Sequence, residues 1–412
     1  MNRRELIRQS LLLASSPLLF QNGWAVSTSR GNKKLIVVML RGAVDGLNVV
    51  VPYQDKHYYQ ARPNIALSKP ESGQADSVLD LDGYFGLHPV LAPLLPLWHN
   101  KQLAFVHASG SLSATRSHFD AQDYMETATP DLKTTSTGWL NRLLLELDAT
   151  KSSSLQGISI SATTPRILAG SHPITVLSPG QSVKKSSMIS TTRSRRLFDS
   201  LYNNNGALGQ AYQSAQVADK ALQKALSEQQ PEQEKAANGG QSVRGFAADA
   251  RQLATLMQVR HDIGFGFFGI SGWDTHAAQG KEKGKLANAL TLLVSGLIEL
   301  KQGLANQWDN TLIVVMSEFG RTVKENGNQG TDHGHGNVMW LMGGDIQGKK
   351  VYGQWPTLEP DSLFEHRDLA VTTDFRIVLH EIIAKQFQLD SEQLKRIFPD
   401  FLPPTRALGI LS

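Results

Sequence analysis

The sequence of 412 residues contains no cysteine. Disulfide scaffolds, thiolate zinc sites, thiol nucleophiles and iron–sulfur clusters are thereby excluded together, and any metal must be held by imidazole, carboxylate, amide or hydroxyl groups. A strong excess of one charge is also missing, with 41 Lys and Arg against 37 Asp and Glu. No basic run carries interleaved aromatics, so nucleic acid is not an expected partner. No apolar run reaches the roughly 20 residues a membrane-spanning helix needs, so no transmembrane anchor is expected. What is present is ordinary globular material, 41% hydrophobic and 19% charged. At roughly 150 residues per domain this length suits two or three units, or one large α/β domain with insertions.

The N-terminus reads differently from the rest. Arg3 and Arg4 precede Leu6, Ile7 and Arg8, and an apolar run from Leu11 to Phe20 follows. That run is too short to span a bilayer and suits the apolar region of an export signal. With its paired arginines, residues 1–29 look like a twin-arginine (Tat) signal, cleaved near Ala25 to Ser29. The expected partner is then the Tat export machinery, and the expected location is periplasmic or extracellular. Without Arg3, Arg4, Arg8 and Glu5 the remainder has 38 bases and 36 acids, close to neutral.

Residues 30–412 read as one α/β domain. Short apolar runs recur at Leu35–Leu40, Leu103–His107, Gly157–Ile160, Ile174–Leu177, Phe265–Ile270, Thr311–Met316 and Val338–Met342. Runs of this length without polar interruption suit strands buried on both faces. Between them lie apolar residues at helical spacing, over 244–260, 286–304 and 373–387. The alternation predicts a doubly wound, mostly parallel sheet with helices on both faces. Residues 203–242, rich in Gln, Ala and Asn and poor in large apolar side chains, read as a helical insertion.

The residues that follow the strands carry the chemistry. Arg41-Gly42-Ala43-Val44-Asp45 follows the first run, and Gly272-Trp273-Asp274-Thr275-His276 follows Phe265–Ile270. Ser317-Glu318-Phe319-Gly320-Arg321 and then Asp332-His333-Gly334-His335 follow Thr311–Met316. Ligands of open parallel sheets bind outside the carboxyl ends of the strands. Carboxylates and imidazoles gathered there need a cation, which makes Asp45, Asp274, His276, Asp332, His333 and His335 candidate ligands of one or two divalent ions (zinc, manganese, magnesium or calcium). Glu318 is either a ligand or a carboxylate that supports one, or it pairs with Arg321. Arg41, Arg116 and Arg321 are candidates to hold an anionic substrate group. Ser117 stands where a helix through Ala121 and Met125 should begin, so it is a candidate nucleophile, a helix cap, or both.

Taken together, Leu40–Asn48, Arg116-Ser117-His118-Phe119-Asp120, Gly272–His276, Ser317–Thr322 and Thr372-Thr373-Asp374-Phe375-Arg376 resemble the DUF1501 family of Tat-exported bacterial proteins. That family is itself similar to the alkaline phosphatase and sulfatase superfamily. The resemblance implies a doubly wound α/β fold, a metal site at the strand ends, and hydrolysis of phosphate or sulfate esters, of a small molecule or a polymer. It places Asp45 at a first-strand metal aspartate and Asp274 with His276 at a metal-binding pair. The strand ending in Ser317-Glu318-Phe319-Gly320 is similar to the sulfatase Ser-Asp-His-Gly, with Phe319 in the place of the histidine. Asp332-His333-Gly334-His335 is similar to the Asp-His-x-His of alkaline phosphatases, and the two alignments compete. The sulfatase motif Cys-x-Pro-x-Arg is absent. The alternative is a catalytically degenerate member that keeps the site to bind a metal, an anion or a surface polymer.

Overall fold

A computed structural model of the protein describes residues 33–71, 76–147, 157–161, 163–180 and 245–411. The expected export signal and the 203–242 insertion lie outside these residues. Twelve strands occur among them: β1 (Lys34–Arg41), β2 (Val50–Val51), β3 (Leu79–Asp80), β4 (Gly86–Leu87), β5 (Leu103–Gly110), β6 (Gly157–Ile160), β7 (Thr175–Leu177), β8 (Phe265–Ser271), β9 (Thr311–Ser317), β10 (Asn337–Gly343), β11 (Val351–Tyr352) and β12 (Thr373–Asp374). Strands β2, β4 and β3 form a small antiparallel sheet, and the other nine form the central sheet. Its order is β11-β5-β10-β9-β1-β8-β6-β7, with β12 beside β5.

Every pairing in the central sheet is parallel except those of β10 with β5 and β9. The mostly parallel sheet expected from the apolar runs is therefore present. The alternation of side chains along β1 shows why its sequence is apolar from Leu35 to Leu40. Ile36, Val38 and Leu40 join one core with Leu253 and Leu256 of the helix Gly245–Val259 and Leu290, Leu293 and Leu297 of the helix Lys285–Leu304. Leu35, Val37 and Met39 face the opposite core, with Leu140 and Leu143 of the helix Trp139–Leu147 and Val378 and Ile382 of the helix Phe375–Phe387. A strand covered on both faces must be apolar at odd and even positions alike. Each fully buried Leu or Ile contributes about 1.5–3 kcal/mol by leaving water. Among the described residues no helix is long and apolar enough to cross a membrane.

This topology fixes where the chemistry falls. Strands β8, β1 and β9 are neighbours and parallel, so the loops after all three leave the same edge. Both β5 and β9 oppose β10, so they run in the same direction, and the loop after Gly110 emerges there too. The antiparallel β10 starts at that edge, so the segment leading into Asn337 crosses it.

Candidate metal centre

Three of these loops bring together His118, Asp274 and His333, whose donor atoms lie within 4.8 Å of one another. His118 opens the helix His118–Thr127 reached from β5, Asp274 follows β8, and His333 lies between β9 and β10. The Nε2 atoms of His118 and His333 are 3.0 Å apart. Asp274 places Oδ2 3.9 Å from His118 Nε2 and Oδ1 3.6 Å from His333 Nε2. His276 adds a further Nε2, 3.1 Å from His333 Nε2 and 3.0 Å from Asp274 Oδ1.

The other ring nitrogens decide what these close approaches mean. His118 Nδ1 lies 2.8 Å from Glu318 Oε1, His276 Nδ1 3.0 Å from Asp332 Oδ1, and His333 Nδ1 2.9 Å from the carbonyl oxygen of Arg116. Carboxylate and carbonyl oxygens only accept, so the Nδ1 of His118 and of His333 carries a proton and each of these rings, when neutral, presents a bare Nε2, whereas His276 faces a carboxylate oxygen from both of its nitrogens. In that state the Nε2 lone pairs of His118 and His333 face each other across 3.0 Å beside the Asp274 carboxylate. Protonating His333 would relieve two contacts. Its burial and the neighbouring His118 and Arg321 outweigh the help of the Arg116 carbonyl and Asp274, and hold its pKa below the ordinary imidazole value.

A cation resolves the conflict, and the donors fit one. Tetrahedral metal–nitrogen bonds of about 2.0–2.1 Å put neighbouring ligand atoms about 3.3 Å apart, within the span of separations found here. Imidazoles that donate their second N–H to a carboxylate or a carbonyl are the usual surroundings of a metal.

Around the centre, Glu318 is fully buried. Burial pushes its carboxyl up, but hydrogen bonds from His118, Gln122 and the Gly42 backbone outweigh that and hold it below the usual range. Asp274 behaves alike, with burial opposed chiefly by the buried Arg321 guanidinium. Asp332 is lowered by the Asn326 amide, against partial burial, with help from His276. Phe319 lays its ring against His118, with centroids 4.9 Å apart, and so walls one side of the imidazole. Two glycines let the loops close in. Gly42 has φ +117°, and a Cβ there would lie 2.9 Å from the Asp274 amide nitrogen. A Cβ on Gly320 would lie 1.8 Å from the Gly336 carbonyl oxygen.

Of the residues expected from sequence, Asp274, His276, Asp332 and His333 are brought together, with Glu318 beneath them. Asp45 and His335 are not in the cluster. The Asp45 carboxylate is buried and turned to Arg62 and Gln279. His335 is buried with its ring 4.1 Å from that of Phe364, and burial holds its pKa down. Arg41, Arg116 and Arg321 are already engaged by protein carboxylates: Glu126, Glu365 with Asp368, and Asp274 respectively. Ser117 caps its helix, its Oγ accepting from Asp120 N at 3.4 Å. His118 was not among the expected ligands. Its signal was a histidine at the first position of a helix that starts at the strand-end edge.

The fold and this cluster define an α/β protein with a histidine-and-aspartate centre at the carboxyl edge of its sheet. The chain matches the family described as "Protein of unknown function (DUF1501)" over residues 32–398, and it belongs to that family. No curated protein matches it. Among solved structures it is similar to Ps i-CgsB in complex with k-i-k-neocarrahexaose, at 11% identity over 88% of this chain and 74% of that one, with a TM-score of 0.39. It is similar to a protein in the alkaline phosphatase superfamily from Vibrio parahaemolyticus, at 13% identity over 78% of this chain and 62% of that one, with a TM-score of 0.36. It is also similar to the lipoteichoic acid synthase LtaP from Listeria monocytogenes, at 10% identity over 76% and 65%, with a TM-score of 0.34.

Proposed function

We propose that this protein is a metal-dependent hydrolase of phosphate or sulfate esters that works outside the cytoplasm. The observation that carries the reading is the convergence of the bare Nε2 atoms of His118 and His333 on the Asp274 carboxylate. Nitrogen donors together with one carboxylate suit zinc or manganese better than calcium or magnesium, which favour all-oxygen sites. Bound there, a divalent ion would supply Lewis-acid polarisation of an ester oxygen and a hydroxyl of lowered pKa.

The remaining work falls to the chain. His118, Asp274 and His333 would hold the ion. His276 stands beside them with carboxylates at both nitrogens, and Glu318 and the Arg116 carbonyl fix the tautomers of His118 and His333. Arg321 orients Asp274 and offsets its charge. Asp274 and His276 are nearly half exposed, at 46% and 45%, so a bulky or polymeric ester can approach without being engulfed. Ser117 adjoins His118 at a helix N-terminus and is the candidate nucleophile, since capping uses its lone pair and not its hydroxyl hydrogen.

One observation favours the rival reading of a metal-binding protein without turnover. The guanidiniums of Arg41, Arg116 and Arg321 are paired within the protein, so none of these three is free to hold a substrate anion. A panel of chromogenic phosphomonoester, phosphodiester and sulfate ester substrates, assayed on zinc- and manganese-loaded protein, separates the two. Turnover that is abolished by chelator and by His333→Ala is expected. Stoichiometric metal with no turnover on any member would leave the binding reading.

A further inference from the structure

The strand-end edge presents four carboxylates, Asp45, Glu318, Asp274 and Asp332, and this number raises the question of a second ion. We infer that the centre takes a single metal ion, and that the guanidinium of Arg62 answers Asp45 where another cation would otherwise be required. The inference rests on the metal centre proposed above and concerns its stoichiometry and how it is held.

Arg62 and Asp45 are both fully buried. Arg62 Nη1 donates to Asp45 Oδ2 at 2.6 Å and Nη2 to Asp45 Oδ1 at 3.0 Å, a two-pronged pair. The other donors go to Asn48 Oδ1 at 2.6 Å, Thr322 O at 2.9 Å and Val323 O at 2.9 Å. All five N–H groups of the guanidinium are therefore satisfied. Asp45 Oδ2 also accepts from Gln279 Nε2 at 2.6 Å. An arginine keeps its charge at any working pH, so a divalent ion placed on Asp45 would meet a fixed positive charge at hydrogen-bond range. It would also have to displace a bidentate bond in a dry interior. Asp45 does not fit a metal.

The same network reaches the ligands of the first ion. Gln279 Oε1 accepts from Thr275 Oγ1 at 2.7 Å and from Thr331 Oγ1 at 3.0 Å. Thr275 lies between Asp274 and His276, and Thr331 precedes Asp332 and His333. Arg62 meanwhile grips Thr322, whose backbone N–H donates to the Asp332 carbonyl at 3.0 Å. A permanent, protein-supplied cation thus ties together the loops after β1, β8 and β9. Arg62, Asp45 and Gln279 are positioning residues, acting on the metal through the backbone that carries its ligands.

Metal content per chain, measured on the full-length protein loaded with zinc and desalted, tests this. One equivalent is expected, retained in Asp45→Asn and lost in His333→Ala. In Gln279→Leu the stoichiometry should stay at one, while chelator competition reports zinc binding weakened by about 10-fold. Two equivalents, with one lost in Asp45→Asn, would overturn the single-ion inference and leave the proposed function standing. No bound metal would remove both. Should Asp45→Asn not fold, zinc-edge anomalous scattering from the unaltered protein decides, with one peak expected and two overturning the inference.

Discussion

His118 donates its Nδ1–H to Oε1 of Glu318 across 2.8 Å, and this contact frees Nε2 to face His333 and Asp274. Glu318 itself follows β9 directly and is held by Gln122 and the Gly42 amide as well. Replacing it by glutamine keeps the shape but removes the charge, and an amide can turn its NH2 towards His118. Glu318→Gln should therefore weaken zinc binding by about 10–100-fold with little change in the unfolding midpoint of the metal-free protein. Competition with a chromogenic chelator measures it. Unaltered affinity would mean that another group sets the His118 tautomer.

A ligand that binds only the folded chain stabilises it by mass action. Zinc at 100 times its dissociation constant should contribute about 2.7 kcal/mol, seen as a raised thermal midpoint. Chelator should reverse the gain, and His118→Ala or His333→Ala should abolish it. A midpoint indifferent to both zinc and chelator in the unaltered protein would count against the centre.

The sheet was legible because β1 and β9 are apolar at consecutive positions, over Leu35–Leu40 and Leu312–Met316, and that pattern belongs to strands covered on both sides. The strand-end rule then located Asp274, His276, Glu318 and His333 on one edge. What the sequence did not reveal was partnership. Asp45 sits beside Gly46 in a strand-end motif, and nothing near it announces that Arg62, seventeen positions on, will return to neutralise it. His118 was obscured for the converse reason. It follows β5, whose carboxyl end reaches this edge because β10 is antiparallel to both β9 and β5 and leaves those two strands running in the same direction. Phe319 looked like a lost ligand, yet its ring packs on His118 and His333 and takes no part in coordination.

Backbone proximity makes Gly320 a sensitive position. Its N–H donates to the His335 carbonyl at 2.8 Å, and its own carbonyl accepts from the Gly334 N–H at 2.8 Å. Those two bonds clamp the segment that carries His333. A Cβ at Gly320 would meet the Gly336 carbonyl oxygen at 1.8 Å, and backbone cannot swing aside as a flexible side chain would. Gly320→Ala should cost about 1–3 kcal/mol in chemical denaturation and weaken metal binding with it. Gly327→Ala, where nothing lies within 4 Å of the added carbon, should change neither.

Acid sensitivity should arise most strongly at His88 and His107, with His333 and His335 adding to it in the same direction. Burial pushes the His88 and His107 imidazoles from 6.5 down to about 4. The geometry explains it. His107 Nε2 donates to Val50 O at 2.9 Å while its Nδ1 accepts from the Ala108 amide, and His88 Nδ1 accepts from the Val90 amide while its Nε2 donates to Lys281 O. A second proton on either ring would turn an accepting nitrogen into a donor facing an N–H. Above pH 6.5 folded and unfolded chains alike hold these rings neutral, and stability is unaffected. As pH falls from 6.5 to 4 the unfolded chain takes up protons that the folded chain refuses, so stability declines by up to about 3 kcal/mol per histidine. Unfolding free energy measured from pH 7.5 to 4 on metal-free protein should fall across that window. His107→Gln, whose amide can donate to Val50 and does not titrate, should flatten the slope. A slope unaltered by that substitution would assign the acid sensitivity to other groups.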